Sequence, residues 1–236
     1  MQSKIGSNTN IDTTDFVPLS NAVVINPSGE QVSIVSDSGS DTLLGSNVQK
    51  VRLRYLDTTF VPKEEIISMA GTTPVLSVAT NVLRIESFEV FKLGPTYFGS
   101  AGTITVTDVA TGLNLYAQID PTYNRFQRAV HFVPPGTTSF LTDISMNCTT
   151  SGGVIFVVFI AEDNTNQGGS VVLKSDSAYA LANESAYIQI NPLSQQIICD
   201  ATQSNVALAI GIAVKGITSG QSGLVTFHYY DIIYNK

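Results

Sequence analysis

The 236-residue sequence predicts an all-β protein, an antiparallel β-sandwich of jelly-roll-like form preceded by an N-terminal arm. Three observations predict it. Short segments alternate apolar and polar residues with a period of two, which gives a strand one buried and one wet face. Clusters of Gly, Pro, Asn, Asp and Ser punctuate those segments at close spacing, as in sandwiches and jelly rolls. No segment sustains a helical period. Only Ser177 to Asn183 reads as a short helix, because Tyr179, Ala180, Leu181 and Ala182 carry no β-branch.

Residues 1–45 read as the arm. Ser, Asn, Thr and Asp dominate them, with two apolar pieces, Ala22 to Ile25 and Val32 to Val35, set around a Pro27-Ser28-Gly29 turn as one small hairpin. Such a segment buries too little apolar surface to offset its own ordering entropy. It is therefore expected to add a strand to a neighbour's open edge, or else to complete this chain's own sandwich. Residues 46–236 read as one sandwich domain, since no change of composition divides them.

That domain opens with the clearest hairpin. Val51, Leu53 and Tyr55 alternate with Lys50, Arg52 and Arg54, the chain breaks at Leu56 to Pro62, and Lys63 to Met69 returns with Glu64 and Glu65 near Arg54. Gly71-Thr72-Thr73-Pro74 stops the return strand. Val75 to Val78 and Leu83 to Val90 follow, and Gly94-Pro95 ends the latter. Thr103 to Val109 and Leu113 to Ile119 form a second hairpin about Ala110-Thr111-Gly112. Pro121 to Asn124 is a loop. Ala129 to Val133 is stopped by Pro134-Pro135-Gly136, and Ser139 to Met146 leads to the apolar Val154 to Ala161. The remaining strands are Val171 to Lys174, Ala186 to Ile190, Gln196 to Cys199, Val206 to Val214 and Leu224 to Tyr234.

Composition narrows the function. Hydrophobic residues are 43% of the chain and charged residues only 13%, against roughly 25% charged in soluble domains. Uncharged polar residues fill the difference, which suits a protein packed against neighbours. A net charge of −7 argues against a general nucleic-acid partner, which needs a basic face. The N-terminal residues lack the apolar run of a secretion signal, so synthesis in a cytosol, without export by the usual route, is expected. The longest apolar run, Gly153 to Ala161, is too short to span a bilayer as a helix, so no membrane partner is expected. Cys148 and Cys199 are expected to be buried, unpaired thiols.

Chemistry is scarce. His131 and His228 lie inside strands between apolar or aromatic neighbours, with no nucleophile elbow and no adjacent orienting carboxylate. No metalloprotease, P-loop or dinucleotide motif is present; Gly216 to Gly220 lacks the Lys-Ser/Thr of a phosphate loop and reads as a hairpin turn. Two oxygen-rich loops, Asp37 with Asp41 and Glu162-Asp163-Asn164 with Asn166, have the donor type calcium prefers but read as solvated turns. The sequons at Asn147 and Asn183 read as chance. Tyr97, Tyr116, Tyr123, Tyr179, Tyr187, Tyr229, Tyr230 and Tyr234 suit either packing or an interface. No residue is nominated as catalytic, cofactor-binding or metal-binding, no cofactor is expected, and the chain is not expected to be an enzyme.

Several stretches carry a resemblance. Val51 to Asp57 with Glu64 to Val75, then Val82 to Phe88, Gly99 to Asp108 and Asn124 to Thr142 are similar to segments of virion structural proteins of tailed phages and large DNA viruses. The most specific is the strand, Val-Pro, small residue, Gly, strand element around Val133-Pro134-Pro135-Gly136. Gly223 to Tyr234 resembles their closing strand, while residues 147–205 depart most. The resemblance implies a virion β-sandwich and no active site.

The expected function is thus a non-enzymatic virion protein of the minor capsid, cement or decoration kind, located in the capsid. The alternative is a receptor- or glycan-binding module of a tail fibre or spike; a glycan-processing enzyme ranks third. The expected partners are other virion proteins, chiefly the major capsid protein, and further copies of the chain, most simply a homotrimer. That expectation rests on Val154 to Ala161 and Val206 to Val214 as sheet edges that lack protective charge.

Overall fold

A computed structural model describes residues 2–11, 17–18, 20, 24, 26–96, 99–162, 178–182, 184–189, 197–201, 208–217 and 219–233. Every regular element among them is a strand. The chain forms two compact units, one of residues 1–21 with 127–236 and one of residues 22–126. The second is thus inserted into the first. The cuts fall at 21/22 and 126/127 and not at 45/46, where the sequence reading placed the end of an arm.

In chain order the first unit begins with β1 (Gln2–Ile11) and β2 (Val17–Pro18). The inserted unit follows, with β3 (Val32–Ser36), β4 (Val48–Asp57), β5 (Pro62–Ser68), β6 (Val75–Leu76), β7 (Val82–Leu93), β8 (Ile104–Asp108) and β9 (Leu115–Ile119). The first unit then resumes with β10 (Val130–Val133), β11 (Thr137–Cys148), β12 (Val154–Glu162), β13 (Ala178–Leu181), β14 (Glu184–Gln189), β15 (Ile197–Asp200), β16 (Leu208–Gly216) and β17 (Gln221–Ile233).

The pairings of the first unit are nested. β1 pairs with β17, β10 with β16, β11 with β14 and β15, and β12 with β13, all antiparallel. First meets last and second meets last but one, as in a long hairpin folded over on itself. Two further pairings, β17 with β11 and β16 with β12, turn that hairpin into two sheets. Their orders are β1-β17-β11-β14 and β10-β16-β12-β13. Eight antiparallel strands in two such sheets are a jelly roll. The fold class read from the sequence is therefore the observed one.

The core of this unit explains the order. Ile144 and Met146 of β11, Val225 and Phe227 of β17, Phe156 and Val158 of β12, and Ile210, Ile212 and Val214 of β16 form one buried cluster. The apolar run Val154 to Ala161 and the described part of Val206 to Val214, residues 208–214, expected as exposed edges, are instead interior strands of their sheet. β12 lies between β13 and β16, and β16 lies between β12 and the β10 and β2 segments. A nearly continuous apolar run marks a strand covered on its faces and says nothing about its edges. The edge argument for a homotrimer falls with that correction.

Two local expectations also change. Ala178–Leu181 is a strand paired with Val154–Val157 and not a helix, because a waiting sheet edge outweighs a weak helical propensity. Gly216 to Gly220 is not a hairpin turn: β16 and β17 belong to different sheets, so this turn carries the chain across the sandwich.

The inserted unit is a smaller sandwich. Its sheets run β6-β3-β8-β9 and β5-β4-β7. They share one core, in which Val32, Ile34, Ile104 and Val106 of the first sheet meet Val51, Leu53, Ile85 and Phe88 of the second. Both hairpins read from the sequence are present, β4 with β5 and β8 with β9. Val32 to Val35 does not pair within a terminal hairpin; β3 sits between β6 and β8, with Ile34 buried. The partner half proposed for it, Ala22 to Ile25, lies largely outside the described residues, as do Val171 to Lys174.

Two turns of the chain share one design. Thr137 N donates to Pro134 O at 3.1 Å across Pro135-Gly136, and Gly136 has φ 78°. Tyr123 N donates to Asp120 O at 3.1 Å across Pro121-Thr122, and Thr122 has φ 71°. Proline followed by a left-handed residue is the type II pattern, and that second position favours glycine. Thr122 is β-branched and exposed, so its strain is not offset by burial. Thr122→Gly is expected to raise stability by about 1 kcal/mol. A urea midpoint that is unchanged or lower would show that Thr122 is not strained.

Candidate functional site

The two histidines each have a carboxylate partner, contrary to the sequence expectation. His131 Nε2 on β10 lies 3.1 Å from Asp231 Oδ1 of β17 and 3.2 Å from Ser139 Oγ of β11. Ser139 Oγ also donates to Asp231. His228 Nδ1 lies 2.6 Å from Asp143 Oδ1. The partners are 100 and 85 residues away in sequence, brought close only by the jelly-roll pairing.

Serine, histidine and aspartate together invite comparison with a hydrolytic triad, and the geometry refuses it. A triad needs the serine on one ring nitrogen and the acid on the other, so that the acid orients the imidazole. Here Ser139 and Asp231 share Nε2 and bond each other. Ser139 is fully buried, and the His131 ring stacks on Tyr229 at 3.9 Å between centroids. The cluster ties β10, β11 and β17 together. Tyr229 extends it to β1 by donating to Gln2 Oε1 at 2.9 Å.

The loop carrying Asp37 and Asp41 is organised by acceptors and not by a cation. Asp41 is 0% exposed. Its carboxylate accepts from Ser36 Oγ at 2.7 Å, Val48 N and Ala101 N at 3.0 Å, and Gly102 N at 3.1 Å. Asp37 Oδ1 accepts from Thr103 N at 2.9 Å. Lone pairs committed to N–H donors are not offered to calcium. Among the described residues no cluster of His, Cys, Asp or Glu is placed to hold a metal. Asp163, Asn164 and Asn166 lie outside the described residues.

Two hairpin turns are built the same way. Asp108 accepts from Asn114 N at 2.9 Å, from Thr111 N at 2.5 Å and from Gly112 N at 3.3 Å. The Asn114 and Thr111 amides hold its carboxyl at about 2, against the desolvation that opposes them. Asp57 is lowered too, first by the Thr59 hydroxyl and then by the Val61 and Thr59 amides. A carboxylate with a depressed folded-state pKa stabilises fully above its ordinary value of about 4, and the gain disappears as pH falls towards 2. Asp108→Asn is therefore expected to melt below the parent at neutral pH, with the gap closing between about pH 4 and pH 2. A gap independent of pH in thermal melts would contradict this.

The tyrosines divide. Tyr116 and Tyr229 are core residues, and Tyr123 is exposed. Burial raises the Tyr116 phenol well above its ordinary value, helped by its bond to Glu30. Tyr55, which the sequence did not single out, is pushed up to about 12 by burial and then by Glu65. The side chains of Tyr97, Tyr179, Tyr187, Tyr230 and Tyr234 lie outside the description. Cys148 is a buried free thiol. The register puts Cys199 opposite Ser139, nine residues along β11 from Cys148, or about 30 Å away, far beyond disulfide reach.

What remains open for contact is surface, and in the inserted unit the two sheets present different ones. The outward side of β5-β4-β7 is laced with charge: Arg52 bonds Glu89 at 2.6 Å and Arg54 bonds Glu64 at 2.7 Å. The outward side of β6-β3-β8-β9 has the rung Leu76, Ser33, Thr107 and Leu115, in which Ser33 is buried, followed by Val35 opposite Thr105. None of these six is ionisable. In the segments next to these strands in sequence, Val78 is 89% and Leu113 84% exposed, and Val78 N donates to Glu65 of β5 at 2.9 Å.

No family model matches the chain, and no curated protein does. Among solved structures it is similar to the cowpea mosaic virus top component, naturally occurring empty particles, at 10% identity and TM-score 0.22 over 92% of both chains. It is similar to broad bean stain virus at 9% identity and TM-score 0.20, over 92% of this chain and 96% of that one. The infectious bursal disease virus Gx strain follows at 9% identity and TM-score 0.19, over 96% of this chain and 71% of that one. At such TM-scores these likenesses carry no argument of their own; the jelly roll is established by the strand pairings of this chain.

Proposed function

We propose that the chain is a virion structural protein that works through protein–protein contacts, of the minor capsid, cement or decoration kind. The observation that carries the reading is the nested pairing of the first unit, a jelly roll, an architecture used by capsid and lectin domains. A fold alone does not fix a function. The low charge content supports the capsid side of that choice, as does the sequence resemblance at residues 48–143. The buried histidine cluster serves the sandwich itself. Contact with a major capsid protein and assembly as a homotrimer belong to this reading.

The competing reading is a receptor- or glycan-binding module, favoured by the exposed ring of Tyr123 on its tight turn. Imaging and subunit stoichiometry of purified particles separate the two. High copy number on the shell supports the structural role. A few copies at a tail or spike, with binding of the isolated protein to cells, would replace it with the second reading, and absence from particles would overturn both.

A further inference from the structure

We propose that the outward face of the β5-β4-β7 sheet docks a carboxylate-rich surface of a different protein. The inference deepens the assembly reading, and rests on it for the source of that protein, a neighbour in the particle.

The register gathers the cations. Three rungs cross this face: Ser68, Lys50 and Lys92, then Ile66, Arg52 and Glu89, then Glu64, Arg54 and Ser87. Arg125 extends the middle rung by pairing with Glu89. Val51, Leu53 and Tyr55 alternate with these residues along β4 and are buried on the other side. Lys50, Arg52, Arg54, Lys92 and Arg125 thus share one side of one small sheet, in a protein with only 12 Lys and Arg residues and a net charge of −7. Glu64 and Glu89 are the carboxylates on these rungs.

Charge is not balanced within the face. Arg54 pairs with Glu64 at 2.7 Å, and Arg52 and Arg54 share Glu89 at 2.6 and 3.7 Å. Lys50, Lys92 and Arg125 make no ion pair among the described residues. Lys50 and Lys92 stand directly opposite each other, and like charges so placed destabilise a sheet. A carboxylate laid across that rung from outside relieves the repulsion.

The surroundings of the cations select the occupant. Phe91, the extra residue of a bulge between Val90 and Lys92, is 48% exposed, with the Arg52 guanidinium 5.8 Å from its ring centroid. Ile66 is 46% exposed beside Arg52. Arginine with an open aromatic ring inside a charged rim is the composition of a protein interface. A phosphate backbone matches less well, because Glu64 and Glu89 stand among the cations and the whole chain repels a polyanion at long range. A second copy also matches less well. Asp41, Asp57 and Asp108 are engaged by amides and hydroxyls, and Asp143 and Asp231 by histidines. Among the described residues no three acids, histidines or cysteines gather closely enough to hold an ion. Complementarity of this kind sets specificity and encounter rate more than affinity, so the contact is weak alone and sensitive to salt.

The test is fluorescence anisotropy of the full chain with a labelled poly-L-glutamate peptide, and with single-stranded DNA of matched charge, at low and physiological salt. Lys92→Glu and Arg125→Glu are each expected to weaken peptide binding about fivefold, and the double variant about tenfold or more. Lys63→Glu, in register with Tyr55 on the other side of β5, is the control and should leave binding unchanged. Lys92→Glu sets opposite charges across the Lys50 rung, so its Tm should stay at or above the parent's while its binding falls. That separates lost docking from lost fold. A parent that does not bind the peptide at low salt, or face variants that bind it as the parent does, overturns the inference. DNA bound more tightly than the peptide would replace the protein partner with a nucleic acid. Self-association of the parent in sedimentation equilibrium, abolished by Lys92→Glu, would replace it with a second copy. Either outcome overturns the proposal as stated. Presence in particles is scored by imaging, so a failed docking surface leaves the virion reading to its own test.

Discussion

A chain beginning at Asp12 is expected to lose the folded state of the jelly roll while the inserted unit keeps its own unfolding transition. β1 pairs along β17 from Gln2 opposite Tyr229 to Ile11 opposite Gln221. Removing it exposes one whole edge of a 13-residue strand, a liability for aggregation. It also takes Ile11 out of the core, at about 2–3 kcal/mol for a buried aliphatic side chain, and strips Tyr229 of its Gln2 partner. Together with the lost ladder bonds this rivals the whole stability of a domain, about 5–15 kcal/mol. Circular dichroism through a denaturant series should show one transition where the parent shows the contribution of both units. A truncated protein with the parent's full profile would mean that β1 is dispensable, as an arm serving only a neighbour would be.

Asp41→Ala should be the most damaging single change in the inserted unit. The side chain gathers four donors from three places in the chain: Ser36, Val48, and the Ala101–Gly102 pair. Alanine leaves them buried without an acceptor, at about 1–3 kcal/mol each. Even the low end amounts to about 4 kcal/mol, most of what a unit of this size can lose. Asp41→Asn keeps one acceptor oxygen but turns an NH₂ towards N–H donors, so it should fall between alanine and the parent. The measurement is the urea midpoint of each variant. A loss below about 1 kcal/mol for alanine would mean that water replaces the carboxylate readily.

Asp41 also shows where reading the sequence stops. As one acid in a Ser-, Gly- and Asp-rich loop it looks like a solvated turn former or a loose calcium ligand. Its donors lie 5, 7, 60 and 61 residues away, and nothing in the local pattern points to the last two. His131 and His228 fail in the same way, since each meets its carboxylate across strands that the sequence cannot register. By contrast, the β4–β5 hairpin was legible because its evidence is local: alternation, a turn, and Arg54 returning opposite Glu64.

The sequence by itself determined the all-β class, most strand positions, both hairpins of the inserted unit and the Pro-Pro-Gly stop before β11. These follow from side-chain period and backbone chemistry, which act over a few residues. Only the tertiary structure decided that Gln2–Ile11 lies against Gln221–Ile233, that residues 22–126 form a unit of their own, and that Val154 to Ala161 is an interior strand. A strand's pattern says which face is buried but not which strand lies beside it. In a jelly roll the first strand pairs with the last, so that choice is made by the closing of the whole sandwich around Ile11, Phe156 and Phe227.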